Sequence, residues 1–231
     1  MLCCAVPILV RQAAGTQPPV KVLFVSDKVV EHIYSPSIAT RYADVSLAVG
    51  CGDLPYYYLE YIQSVMNVSL VYVHGNHDPE REYLSDGSVV TGPMGGVNLH
   101  GQTYRSKNLL LAGLEGSIRY REGLFQYSQQ QMWMNVFVHL VPRLLGNRLR
   151  YGRYLDIFVA HSPPYGIHNG DDRIHVGFHA FLWLLKVFKP RYMVHGHRHV
   201  YNPTEITYTK FHQTHIYNIY PYKILDIEVP A

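Results

Sequence analysis

Hydrophobic runs and polar breaks alternate along the first third of the chain in a regular order. Residues 20–26, Val-Lys-Val-Leu-Phe-Val-Ser, are rich in β-branched and aromatic types and predict a strand that ends at Asp27. Residues 45–49 predict a second strand, ending at Gly50-Cys51-Gly52-Asp53. Residues 70–73 predict a third, ending at Gly75-Asn76-His77-Asp78. Between them, residues 36–42 and 56–66 carry apolar side chains at helical spacing. Strand, helix, strand, helix, strand is the pattern of an α/β layered fold with parallel neighbouring strands.

Further on the pattern loosens. Residues 97–99 and 109–112 predict short strands in an antiparallel or mixed region. Residues 126–145 predict a helix bearing Met132, Trp133, Val136, Phe137, Leu140, Leu144 and Leu145, kinked or restarted at Pro142. A buried strand over 155–160 ends at His161, and a loop rich in proline, glycine and aspartate runs to Gly177. Residues 178–188 predict an apolar helix stopped at Pro190. A fifth strand, 191–194, ends at His195-Gly196-His197-Arg198-His199. The remainder, to Val229, alternates in short segments that suit hairpins closing a second sheet. The expected organisation is one domain over 20–231 with a helical insert around 126–150, preceded by a loose tail over 1–19.

Composition narrows the function. Hydrophobic residues make up 48% of the chain and charged ones 16%, which suits a large core and argues against long disorder. A formal charge of only +3 gives no case for a dedicated nucleic-acid surface. Cys3, Cys4 and Cys51 are odd in number and lack metal spacing, so they read as reduced thiols of a cytoplasmic protein. Residues 2–10 are apolar but short, with no basic residue ahead of them, so a cleaved leader is the less favoured reading. No window reaches the ~20 apolar residues of a membrane span.

The chemistry sits where the strands stop. Ligand sites of α/β sheets gather outside the carboxyl ends of the strands, so the five turns are expected to meet at one site. They deliver Asp27, Asp53, Asn76 with His77, His161, and His197 with His199. Mixed oxygen and imidazole donors suit Mn, Fe or Zn better than Ca or Mg. A lone Asp at a strand end is usually a helix cap; the order and company of all five turns make the case.

That series, with Gly75-Asn76-His77-Asp78 and Gly196-His197-Arg198-His199 as its most specific parts, resembles the calcineurin-like metallophosphoesterases over about residues 20 to 218. The resemblance implies two mixed β-sheets packed face to face and flanked by helices. It also implies two divalent metal ions, with Asp53 bridging them, Asp27 and His199 on the first, and Asn76, His161 and His197 on the second. His77 would stand just outside, protonating the leaving group of a phosphoester attacked by metal-activated hydroxide. Phosphodiesters are the favoured substrates over phosphomonoesters, by analogy with small members of the family.

One departure stands out. The family's first motif is usually Asp-x-His, and here it reads Asp27-Lys28-Val29, so the first metal site is expected to be weak or empty. His32 is the nearest substitute, although a loop or helix role suits it better. A non-catalytic relative disabled at that site is the alternative function. Asp78 is expected to hold the His77 ring or cap a turn, and His74 and His195 to be buried and hydrogen-bonded. His168, His175 and Arg119, the last weighed together with Tyr120, are candidate substrate contacts. The apolar stripe of the 126–145 helix, with Arg148, Arg150 and Arg153 beyond it, is expected to pack as core or cap. A homodimer surface is its second reading, and a membrane-surface or scaffold role the least favoured.

Overall fold

The computed structural model describes residues 18–229 apart from 171 and 203, so most of the expected N-terminal tail lies outside the described residues. The first half contains strands β1 (Val20–Val25), β2 (Leu47–Gly50), β3 (Ser69–Tyr72), β4 (Glu82–Tyr83), β5 (Val89–Val90), β6 (Val97–Asn98), β7 (Thr103–Ser106) and β8 (Leu109–Leu114). Helices α1 (Ile38–Arg41) and α2 (Tyr56–Met66) are interleaved with them. Then come β9 (Ser117–Ile118), β10 (Gln126–Tyr127), α3 (Gln129–Met134), a π-helical stretch (Asn135–Leu140) and α4 (Val141–Tyr151). The chain continues through β11 (Ile157–Ala160), α5 (His179–Phe188), β12 (Tyr192–His195), β13 (Tyr208–Phe211), β14 (Thr214–Asn218) and β15 (Tyr222–Ile227).

The strands build two principal sheets. The first runs β15-β1-β2-β3-β6 and the second β13-β14-β12-β11-β8-β7. In the first, β1, β2, β3 and β6 are parallel, and β15 closes the edge antiparallel to β1. In the second, β14, β12, β11 and β8 are parallel, with β13 and β7 antiparallel on the two edges. The expected closing hairpins therefore divide: β13 and β14 extend the second sheet, while β15 returns to the first.

Three cores hold four layers together. Val22, Phe24, Val49 and Val71 of the first sheet meet Leu111, Ile157, Val159 and Val194 of the second in the middle layer. The outer face of the first sheet packs Leu23, Val25 and Leu70 against Ile38, Leu59 and Ile62 of α1 and α2. The outer face of the second packs Ala112, Phe158 and Met193 against Met132 and Leu144 of the long helix and Phe181 and Leu184 of α5. This is the α/β/β/α sandwich. Strands covered on both faces read as continuous apolar runs: every residue of β2, β8 and β11 is buried.

Pro142 stands where the helix restarts in α form after a π-helical stretch. Proline removes one backbone donor and crowds the carbonyl four residues earlier. The wider π turns over Asn135–Leu140 come just before it, and Pro142 falls in the first turn of α4. The helix starts with a capping box, in which Ser128 and Gln131 each satisfy the other's backbone N–H. It ends at Gly152 in the left-handed conformation.

Gly146 lies inside α4 with open space where a Cβ would stand. Glycine there costs backbone entropy without relieving any clash. Gly146→Ala should stabilise the fold by about 0.5–1 kcal/mol, read as a higher urea midpoint at unchanged slope.

Candidate metal centre

Five parallel strands, three from the first sheet and two from the second, end on the same side of the sandwich. β1 delivers Asp27, β2 Asp53, β3 Asn76 and His77, β11 His161, and β12 His197 and His199. Asp27, Asp53 and His197 all adopt the left-handed backbone conformation, with φ of 63°, 56° and 63°. Such conformations cost non-glycine residues of order 1–3 kcal/mol.

Two glycines let these turns touch. A Cβ on Gly75 would collide with the Asp53 carboxylate, and one on Gly196 would collide with Ser26 and the Asp27 carboxylate. The backbone then grips what it approaches. Asp53 Oδ1 accepts the His77 amide at 2.7 Å, and Asp27 accepts the His197 amide at 3.0–3.1 Å. Asp78 accepts the Gly75 amide at 2.7 Å, the Leu54 amide at 2.9 Å and the Asp53 amide at 3.0 Å. It clasps the second and third strand ends together, the capping role of the two it was expected to fill.

Asp53, His161 and His197 form the centre, with one donor atom of each lying within 4.8 Å of the others. His161 Nε2 stands 3.4 Å from Asp53 Oδ2 and 3.2 Å from Asn76 Oδ1. Its Nδ1 donates to the Cys51 carbonyl at 2.8 Å, which fixes the ring with Nε2 toward the acidic side. Asn76 Nδ2 in turn donates to the Tyr120 hydroxyl at 3.3 Å. His197 is tied through Nε2 to the Ile174 carbonyl at 2.9 Å.

The electrostatics follow from burial. Desolvation would raise the Asp53 carboxyl, but the His161 ring and the His77 amide outweigh it and hold the carboxyl at about 2. Desolvation would lower His161, and the Asp53 carboxylate reverses this and raises it to about 9. Burial and the neighbouring His161 push His197 down to about 4. Burial and then the Asp53 charge drive Asp78 upward. Asp53, Asn76, His161 and His197 thus place carboxylate, amide and imidazole donors around one point, a set that fits a divalent transition metal.

The other expected donors are less complete. His199 Nε2 is 3.6 Å from Asp27 Oδ1, and its Nδ1 pairs with the Tyr201 hydroxyl at 2.9 Å. Among the described residues no third His, Cys, Asp or Glu joins that pair. Val29 packs with the outer core of the first sheet. His32 sets its ring edge-on to Tyr222 at 5.1 Å.

The three candidate substrate contacts separate. His175 has its ring centroid 4.9 Å from that of His197, with Nδ1 held by Asp172 at 2.8 Å. Arg119 is turned to the Gln126 carbonyl and the Gln131 side chain. His168 has both ring nitrogens engaged, by His195 at 2.8 Å and Thr209 at 3.0 Å. Its burial lowers its pKa to about 4. His195 is fully buried in that pair, as expected. His74 is buried between Glu115 at 3.0 Å and Tyr56 at 3.3 Å, beneath the turn that carries Asn76. Cys51 is buried, and desolvation pushes its thiol up, away from nucleophilic use.

A four-layer sandwich with carboxylate, amide and imidazole donors at its carboxyl edge defines a class of metal-centred proteins. The model of the calcineurin-like phosphoesterase family matches residues 38–201, and the chain belongs to that family. These are metal-dependent phosphoester hydrolases. The match begins after Asp27-Lys28-Val29. No curated protein matches the chain in sequence. Among solved structures, the fold is similar to that of TT1561 from Thermus thermophilus, with a TM-score of 0.60 and 14% identity over 90% of this chain and 95% of that one. Calcineurin-like phosphoesterase YfkN from Bacillus subtilis matches with a TM-score of 0.42 and 12% identity, over 92% of this chain and 91% of that one.

Asp78→Ala should orphan three backbone N–H groups that meet at the centre. Charged hydrogen bonds of this kind contribute about 1.5–3 kcal/mol each. The variant should lose at least about 2 kcal/mol of stability in urea unfolding, together with metal affinity, although Asp78 itself offers no ligand. An Asp78→Ala protein that matches the parent in both would refute the clasp.

Proposed function

We propose that the protein hydrolyses phosphodiesters at a metal centre held tightly by Asp53, Asn76, His161 and His197, with a weaker second position at Asp27 and His199. The observation that carries the reading is the convergence of Asp53, His161 and His197 within 4.8 Å at the ends of strands from both sheets. When bound, divalent ions would neutralise phosphate charge and make water a competent nucleophile at neutral pH. Mn, Fe and Zn are the ions this donor set favours.

The chain's own residues do the rest. Asn76 contributes a neutral oxygen, so the centre carries less negative charge than a third carboxylate would give it. Cys51 and Ile174 hold the imidazoles of His161 and His197 through their carbonyls. His77 has its amide fixed on Asp53 while its ring is exposed to solvent. It stands free to give a proton to the departing alkoxide, a contribution of ~100- to 10,000-fold. His175, oriented by Asp172, is the best placed of the three candidate substrate contacts.

A diester is favoured over a monoester by charge. Arg119 is committed to glutamine partners and Arg198 to Glu205 at 3.2 Å. Neither is free to clamp the second negative charge of a phosphomonoester. The second reading, a phosphate-binding relative that no longer turns over, rests on the two-donor pair at Asp27 and His199 and on Val29.

The deciding experiment is hydrolysis of bis-p-nitrophenyl phosphate by metal-stripped protein across a Mn²⁺ titration, with p-nitrophenyl phosphate in parallel. Turnover should rise with metal, favour the diester, and vanish in Asp53→Ala. His77→Ala should retain metal and slow turnover by about 100-fold or more for poor leaving groups, and by less for p-nitrophenolate. Metal uptake without turnover on either ester would establish the non-catalytic reading.

A further inference from the structure

The long helix has a second face that the metal centre does not use. Met132, Val136, Leu140 and Leu144 are buried in the core, as the apolar pattern predicts. On the outward side Met134 is 63% exposed, Val138 60%, Leu145 49% and Leu149 89%. At helical spacing these four fall along one line, which the expected core packing does not account for. Phe137 is also exposed, and it stacks with Trp133 and meets Trp183 of α5 at the upper end of the line. In α4 the turn of the helix sets Arg148 to one side of Leu145 and Leu149 and Arg150 to the other, while Arg143 is turned toward Gln102.

The charge on this face is of one sign. No Asp or Glu occurs between Glu122 and Asp156, or between Asp172 and Glu205, the two segments that form the helical layer. Beside α4 a cavity of about 390 Å³ opens between the helix and the β7–β8 edge. It is lined by Thr103, Tyr104, Arg105, Arg143, Arg150 and Tyr151 among others, with no carboxylate in its wall. Arg105 and Arg150 both lie over the Tyr151 ring, at 5.0 and 5.3 Å. Among the described residues, ion pairs involving Arg or Lys join Lys21 to Asp44, Arg153 to Asp156, Arg191 to Glu228 and Arg198 to Glu205. Arg105, Arg143, Arg148 and Arg150 take part in none of them; Arg143 is held by the Gln102 side chain at 2.9 Å and the His139 carbonyl at 2.7 Å, and Arg105 by Asn108 at 3.0 Å.

We propose that this face docks on an anionic phospholipid bilayer, with Leu145 and Leu149 entering the acyl boundary and headgroup phosphates taken by Arg148 and by Arg150 at the mouth of the groove beside α4. An apolar stripe flanked by arginines lies in the plane of an interface and does not span it. Among the described residues no helix is long and apolar enough to cross a membrane. A second copy of the chain fits the face less well. Fifteen residues of helix give a stripe about 22 Å long and about 10 Å wide, near 200 Å² where a stable interface needs about 800 Å² per partner. Two-fold pairing would also bring arginines against arginines with no acid on either side to answer them.

The test is co-sedimentation of the full chain with phosphatidylcholine vesicles, with and without phosphatidylserine, alongside light scattering of the protein alone. Binding should require phosphatidylserine, weaken with salt, and fall roughly fivefold for each of Arg148→Gln and Arg150→Gln. Leu149→Asp should abolish it while leaving the thermal melt unchanged, since that side chain is almost wholly solvated. Equal binding to both vesicle types, or full binding by Leu149→Asp, would overturn the proposal. So would a dimer that Leu149→Asp dissociates in a protein that ignores vesicles.

Discussion

Two carboxylates, Asp53 and Asp78, are brought into one pair of buried turns, and the carboxyl edge of the sandwich is arranged around keeping both. Three backbone amides face Asp78; His161 and the His77 amide face Asp53. Like charges this close, in a poorly hydrated place, persist only if the surroundings supply compensating donors. That demand explains why glycine occupies position 75, why Asp53 bends into a left-handed conformation, and why His161 is braced from behind by a carbonyl. A cation added beside Asp53 would relieve the same repulsion, so metal affinity and the integrity of the turns are linked.

Much of this was legible in the residues. Runs of Val, Leu, Ile and Phe closing on Gly-Asp, Gly-Asn-His-Asp or Gly-His-Arg-His fix strand direction and place the chemistry at one edge. Of the apolar stripe expected on the long helix, Met132, Val136, Leu140 and Leu144 are buried and Trp133 is partly so, while Phe137 and Leu145 are exposed. What escaped is non-local. That β15 returns to β1, about 200 residues away in sequence, is decided by which sheet edge is open, and no local pattern records it. Asp78 is visible as an acid, but its partners at Asp53 and Leu54 emerge only when β2 and β3 lie side by side. His168 looks available from its loop, until folding sets it against His195 and Thr209. Pro142 signals a kink or a restart and does fall in the first turn of α4, but the π turns just before it are not encoded in the sequence spacing.

The asymmetry of the candidate metal centre has a plain physical source. One side gathers four donors, three of them buried to 6% exposure or less. The other offers Asp27 and a half-exposed His199, and Val29, where the resemblance led to the expectation of a further histidine, packs against the outer core. The helical layer on the opposite sheet obeys a different constraint, since its inner face is committed to the core and its outer face is basic and apolar together.

The central claim is that the strand ends form one strong and one weak metal position, and calorimetric titration of the metal-stripped chain with Mn²⁺ tests it most directly. The account predicts one tight equivalent, lost in Asn76→Ala and in His197→Ala but kept in His199→Ala, followed by a second, weaker equivalent that His199→Ala removes. Two equivalents of equal affinity, or a tight one that survives both Asn76→Ala and His197→Ala, would contradict it.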